Sequence, residues 1–227
     1  MRQISLLLLL ISVLSLPLQA QDADSLLAGL IPLNTQKPVR LLYPDEWLQT
    51  DVMLYPNQEV KGLMANYDLL NHRLLVRHGS STKVLQAHQV QQFSWIPPGK
   101  SPESYVNTAG FSSEVWLPGY FKSWGKGRAC LLEYIHLPGN DFDSRDLMSG
   151  ESVHYSNPDV QLESRWFIAK GQALRELSLR KAQVLEALDT VWQEEAKRLL
   201  KEHRLNLSQP EHVALLLQHY NAWLAGQ

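Results

Sequence analysis

Between residues 51 and 177 the apolar positions come in short runs, at 52–55, 60–67, 73–77, 83–86 and 92–96, each rich in Val, Leu and aromatic side chains. Turn-forming breaks separate them: Pro56-Asn57, residues 68–71, and Gly79-Ser80-Ser81. Short runs spaced by roughly 8–12 residues predict an antiparallel all-β unit. Within 73–77, Leu74 and Val76 alternate with Leu75 and Arg77, which predicts a strand with one wet face. Pro97-Pro98-Gly99 stops this meander, and residues 97–113 read as a loop. A second β stretch fills 115–137 and folds back at Gly125-Lys126-Gly127, as a hairpin does. A last hairpin joins 162–168 to 173–177 across Lys170-Gly171.

After Leu177 the apolar period changes from 2 to 3.6. Ser178 is the expected N-cap of a short helix reaching Leu188, and Asp189 that of a second helix. The second helix brings Trp192, Ala196, Leu199 and Leu200 onto one face. Ser208 and Glu211 have the spacing of a capping box, with Pro210 in the first turn, where a missing N–H costs nothing. Val213, Leu216, Leu217, Tyr220 and Leu224 then form a full apolar stripe. The predicted fold class is α+β. An antiparallel sheet or small barrel of about 8–10 strands over residues 51–177 is followed by two to three helices over 178–227 packed on it.

The first 20 residues have a different texture. Arg2 is the only charge before Asp22, residues 4–16 are apolar apart from three serines, Pro17 ends the run, and Ala20 is small. This is the order of a secretory signal peptide. As a helix the apolar run would span only ~20 Å against a hydrocarbon core of ~30 Å. Residues 21–50, with Pro32, Pro38 and Pro44, read as an extended lead-in. The cleavage site Gln19-Ala20-Gln21 offers no cysteine for lipidation, and the only cysteine, Cys130, excludes an intramolecular disulfide. The expected address is secreted, periplasmic or cell-envelope, with no transmembrane segment after signal cleavage. Loss of Arg2 with the leader takes the formal charge from −2 to −3. That balance argues against a nucleic-acid partner, which needs a basic surface.

Candidate chemistry is sparse. None of the eight histidines stands at ligand spacing from another, and His212 and His219 lie ~10 Å apart along one helix, too far for one ion. Residues 140–146 resemble the start of a calcium loop. Arg145, Asp146 and Ser152 stand where that loop needs an oxygen ligand, a glycine and a glutamate, so 138–160 reads as a solvated acidic loop. Gly150-Glu151-Ser152-Val153-His154 lacks the closing glycine of a nucleophile elbow. Cys130 lies between Ala129 and Leu131-Leu132, an apolar setting that disfavours a reactive thiolate. Asp141 and Asp143 would serve glycoside hydrolysis only at a defined separation across a cleft. No catalytic residue, cofactor or metal is expected. Seven tryptophans and eight tyrosines are the unusual feature. Trp116, Tyr120 and Trp124 recur at intervals of four and are the candidate contacts for a ligand or partner. The plainer alternative, that they fill the core and cover a sheet edge, is favoured.

Residues 60–76 with Asn66-Tyr67-Asp68-Leu69 at the bend, and Gly119-Tyr120-Phe121 leading through Gly125-Lys126-Gly127 to Leu131-Leu132, form a familiar series. Trp166-Phe167-Ile168 before Gly171, Leu205-Asn206-Leu207, and Tyr220-Asn221 continue it. Over residues 40–225 the chain resembles a family of uncharacterised secreted proteins common in Bacteroidota. It departs from that pattern at Trp124, in the longer 97–113 segment and in 138–160. The resemblance implies an antiparallel β unit with C-terminal helices and an exported address, and implies no activity.

The functional expectation is a secreted or periplasmic non-enzymatic protein that binds an envelope protein or glycan. The alternative is a secreted hydrolase of envelope polymers, which would show a cleft holding two or more titratable groups with displaced pKa values. A structural accessory would instead show a broad apolar patch and no cleft. The leader makes a direct prediction: protein purified from its native host begins near Gln21 and carries no acyl group. Intact mass checks this, and a retained Met1 or an added acyl mass would contradict it.

Overall fold

The structure, a computed structural model, describes residues 23–34, 38–44, 46–112, 117–138 and 160–227. Residues 1–22, Trp116, and residues 139–159 with Asp141, Asp143 and Ser152 lie outside the described residues. A short helix, α1 (Ala23–Gly29), precedes β1 (Ile31–Pro32). The strands β2 (Leu48–Leu54), β3 (Gln58–Asp68), β4 (Arg73–His78), β5 (Ser81–Leu85) and β6 (Val90–Trp95) follow. Next come β7 (Glu103–Asn107), β8 (Tyr120–Ser123), β9 (Ala129–His136), β10 (Glu163–Lys170) and β11 (Ala173–Leu177). The chain ends in α2 (Lys181–Glu186), α3 (Gln193–Glu202) and α4 (Pro210–Ala225). No helix among the described residues is long and apolar enough to cross a membrane.

The strands form one antiparallel sheet of 11 in the order β1-β5-β4-β3-β2-β6-β7-β8-β9-β10-β11, and the sheet does not close into a barrel. The fold class is therefore α+β, as the change of period predicts. The 11 strands stand against an expected 8–10, and two of them lie outside the predicted runs. β1 is a two-residue pairing with β5, and β7 lies inside the segment read as a loop. In β7, Glu103, Tyr105 and Asn107 are buried while Ser104 and Val106 are half-buried, an alternation too short and too polar to stand out in sequence. The lead-in is not uniformly extended. Leu27 of α1 and Leu30 just after it enter the core, and β2 begins at Leu48.

Polar pins tie the lead-in down. Asp68, wholly buried, accepts from Arg73 Nε at 2.8 Å and from the Arg40 backbone N–H at 3.2 Å. Asn66 donates to the carbonyls of Tyr43 and Glu46 at 2.6 Å each, which fixes these two residues beside β3. Leu75, expected on a wet face, is buried, because it pairs with Asn66 and Val84 in a row that is itself buried.

One row of cross-strand partners explains where the core sits. Val52, Phe93, Tyr105, Lys122, Glu133, Trp166 and Leu177 are successive partners across β2, β6, β7, β8, β9, β10 and β11. Partners across a ladder share a face. At one end of the row, Val52, Phe93 and Tyr105 belong to an apolar cluster built from β2 to β8 together with Leu27 of α1. At the other end, Leu177, with Trp166 packed beside it, belongs to a cluster roofed by α2, α3 and α4. Lys122 and Glu133 are the charged rung between the two. A third cluster, with Phe121, Leu132 and Phe167, lies on the opposite face of β8–β10.

The helical caps differ in detail from expectation. Gln209, not Ser208, is the N-cap of α4, and no side chain caps it. The Ser208 hydroxyl instead donates to Asn206 Oδ1 at 2.8 Å, a local turn that removes it from the capping box. Arg180 rather than Ser178 caps α2, because Gln183 Oε1 accepts from both the N–H and the hydroxyl of Ser178. Asp189 stands at the N-cap of a single 3₁₀ turn, and its carboxylate accepts from Lys170 Nζ at 2.8 Å. The apolar stripes are as predicted. Trp192, Ala196, Leu199 and Leu200 are buried, as are Val213, Leu216, Leu217 and Tyr220, with Leu224 packed against them. Because Leu217 is 2 % exposed, Leu217→Ala is expected to cost about 2–5 kcal/mol and lower the thermal midpoint. An unchanged midpoint in differential scanning calorimetry would show that α4 does not pack in the free protein.

Candidate functional site

β7 and β8 carry a buried carboxylate and a lysine to the place where the strand-built core meets the helical roof. Glu103, 7 % exposed, is held by four donors. Its Oε2 accepts from Tyr43 Oη at 2.7 Å, Tyr105 Oη at 2.9 Å and Trp95 Nε1 at 3.2 Å, and its Oε1 accepts from Lys122 Nζ at 2.7 Å. Each donor arrives for a local reason. Trp95 is the direct cross-strand partner of Glu103, Tyr105 lies two residues along the same face, Lys122 is the partner of Tyr105, and Tyr43 sits in the segment pinned by Asn66. Burial alone would raise the Glu103 carboxyl. The hydrogen bonds of Lys122 and Tyr43, the charge of Lys122 and the Trp95 N–H outweigh it and hold the carboxyl below its ordinary value. The same burial and the adjacent carboxylate raise the Tyr43 phenol.

The polar chain continues across the sheet. Lys122 Nζ lies 4.7 Å from the centroid of the Trp124 ring. Trp124 Nε1 donates to Glu133 Oε2 at 2.8 Å, and Ser164 Oγ donates to Glu133 Oε1 at 2.6 Å. Trp124 also packs at 5.9 Å on Trp166, which anchors it to the helix-covered half.

A groove of about 810 Å³ opens above this chain. Residues 99–101, Glu103 and Lys122 line one side, and the Trp124-Gly125-Lys126 turn lines the end. The wall opposite is α4, which presents Glu211, Ala214, Leu215, Gln218 and Asn221, a helical face ~15 Å long at 1.5 Å per residue. Asn221 locks this wall to the sheet. Its Oδ1 accepts from the Ala129 N–H at 2.7 Å, and its Nδ2 donates to the Ala129 carbonyl at 2.7 Å. The contact requires glycine at 127, where φ is +134° and an added Cβ would collide with the Asn221 amide.

The candidate aromatics separate. Tyr120 is 2 % exposed and packs edge-on against Tyr67 at 5.3 Å and Phe93 at 5.0 Å, so it fills the core. Trp124 lines the groove, and Trp116 lies outside the described residues. Lys122, Glu103 and Glu133 are the site residues that sequence reasoning missed. The spacing of four that singled out Tyr120 and Trp124 also places Lys122 on the same strand face, which was the available signal. Cys130 packs with the third cluster, and burial pushes its thiol up to about 11, only partly offset by Ser123. Among the described residues no group of three or more His, Cys, Asp or Glu side chains could hold a metal ion.

Chemically, the groove holds displaced titratable groups, but each is displaced away from reactivity. Glu103 is ionised with both oxygens occupied, so it makes a poor general base, and the Cys130 thiol stays protonated at neutral pH. Compared with protein-family models, with curated proteins and with solved structures, the chain matches none.

Glu103 gives a pH prediction. Its folded pKa lies below the ordinary glutamate value of 4.5, so its contribution is complete above that value and is lost as pH falls through the lower folded value. Glu103→Gln, which leaves Lys122 without its counter-charge, is expected to cost about 3 kcal/mol at pH 7. The variant should also lose part of the acid dependence of the thermal midpoint below pH ~4.5. Parallel slopes for the two proteins in a pH series of melting curves would contradict this role.

Proposed function

We propose that this is an exported, non-enzymatic binding protein whose partner is an acidic, extended protein segment seated in the groove along α4. The observation that carries the reading is the groove's polarity. Lys122 is neutralised by Glu103, which leaves Lys100, 5.0 Å from the Tyr43 ring, and Lys126, with no ion-pair partner among the described residues, as two rim cations against the one carboxylate of the wall, Glu211. Leu215, 38 % exposed, and Ala214 line the wall between them and suit an apolar side chain better than a sugar hydroxyl. A wall of ~15 Å accommodates about five extended residues at ~3.3 Å each. The saturated state of Glu103 weighs against the hydrolase reading, and the presence of a cleft weighs against a purely structural accessory. Export rests on the leader, and the resemblance to secreted proteins of Bacteroidota agrees with it.

The test is calorimetric titration with a six-residue peptide of alternating glutamate and leucine, and with its lysine–leucine counterpart. The acidic peptide is expected to bind, more weakly as salt rises, and the basic one not. Lys126→Glu should weaken the acidic peptide roughly tenfold, about 1.4 kcal/mol. Equal binding of both peptides, or indifference to Lys126→Glu, overturns the assignment. Binding of a uronic-acid oligosaccharide with no binding of the acidic peptide would move the site to a glycan.

A further inference from the structure

A second cavity, of about 940 Å³, opens at the other ends of β7 and β8. Its wall is built from Tyr55 after β2, the β3–β4 turn, the 3₁₀ turns at 87–89 and 108–110, and residues 117–119. Among the described residues that line it there is no Lys, Arg, Asp or Glu, whereas the groove along α4 carries three lysines and two glutamates. Phe111, Leu117, Pro118, Phe121 and Leu174 supply apolar surface.

The polar side chains of the wall are largely engaged within the protein. Asn107 donates to the carbonyls of Ala87 and Val90 at 2.7 and 2.8 Å and accepts from the Ala109 N–H at 2.8 Å. Thr108 Oγ1 donates to the Gly119 carbonyl at 3.2 Å, and Asn71 Nδ2 donates to Asp68 Oδ2 at 2.8 Å. His72 Nδ1 lies 3.4 Å from Tyr67 Oη. Burial lowers the His72 pKa to about 4, so the ring is uncharged at neutral pH. Among the described residues a charged ligand would meet no counter-charge here, and an unpaired charge out of water is strongly disfavoured. Tyr55, Gln86 and His88 add polar side chains to the wall, and Tyr55 and His88 are exposed. Gly119, with φ of +89°, has no room for a side chain, because a Cβ would collide with Tyr67 Oη.

We propose that this cavity is a binding site for an uncharged, mainly apolar small molecule. Its volume lies within the ~300–1,000 Å³ range of small-molecule sites, and apolar walls with few convergent polar groups are what such sites share. The site is independent of the groove along α4 and stands whether or not that groove binds a peptide.

Two fluorescent probes that differ by one sulfonate test it: N-phenyl-1-naphthylamine, uncharged, and 8-anilino-1-naphthalenesulfonate, anionic. The uncharged probe is expected to bind saturably at one site per chain, roughly tenfold or more tighter than the anionic one. Ala109 and His88 are exposed at the rim. Ala109→Trp, or His88→Trp where the first variant melts early, should weaken the uncharged probe roughly tenfold at an unchanged thermal midpoint. Lys126→Glu in the other groove should leave its binding unchanged. Absence of saturable binding, equal binding of the two probes, or binding that survives both rim substitutions overturns the proposal.

Discussion

The Glu103–Lys122 ion pair sits where two differently built cores share one sheet. A bare carboxylate at 7 % exposure would be strongly destabilising. Four donors remove that penalty, and three of them, Tyr43, Trp95 and Tyr105, are also members or neighbours of the first apolar cluster. The apolar packing therefore holds the polar network in place, and the network in turn fixes the orientation of the aromatic rings. Lys122 extends the same arrangement to Trp124 and, through it, to Glu133 and Trp166 beneath the helices.

This constraint explains why the sheet can stay open. A sheet of 11 strands buries one face only if something covers it. α1 and the tied lead-in pack against the first half, and α2 to α4 cover the second. Between these covers the charged rung is the one stretch of the row that does not need an apolar roof, and the groove opens there. At the far ends of β7 and β8 the same strands border a cavity whose described lining residues include no Lys, Arg, Asp or Glu. Two chemically different recesses thus share two strands, with charged walls at one end and none among the described residues at the other.

The burial of Tyr120 and the half-exposed position of Trp124 show how one spacing serves two purposes. Both residues lie on the same face, yet Tyr120 packs edge-on against Tyr67 and Phe93, while Trp124 stands one residue beyond the end of β8. Exposure was decided by which cover lay above each of them.

The period of the apolar residues was sufficient for the α+β class, for most strands between 48 and 177, and for the stripes of α3 and α4. These features depend on local alternation and on burial of a single face, which a chain states residue by residue. The cap of α4 was misplaced by one residue because Asn206 competes for the Ser208 hydroxyl, a contact within reach of local reasoning. β7, the pinning of the lead-in by Asn66 and Asp68, and the convergence of Tyr43, Trp95, Glu103 and Lys122 were settled only by tertiary structure. The residues that meet at Glu103 come from positions 43 to 122, and no local pattern records which strands become neighbours. Nor does the strand pattern say that α4 will lie along the sheet beside that carboxylate, because the stripe of α4 specifies burial without specifying a partner. The sequence determined which residues had to leave water, and the order of the strands decided which of them met.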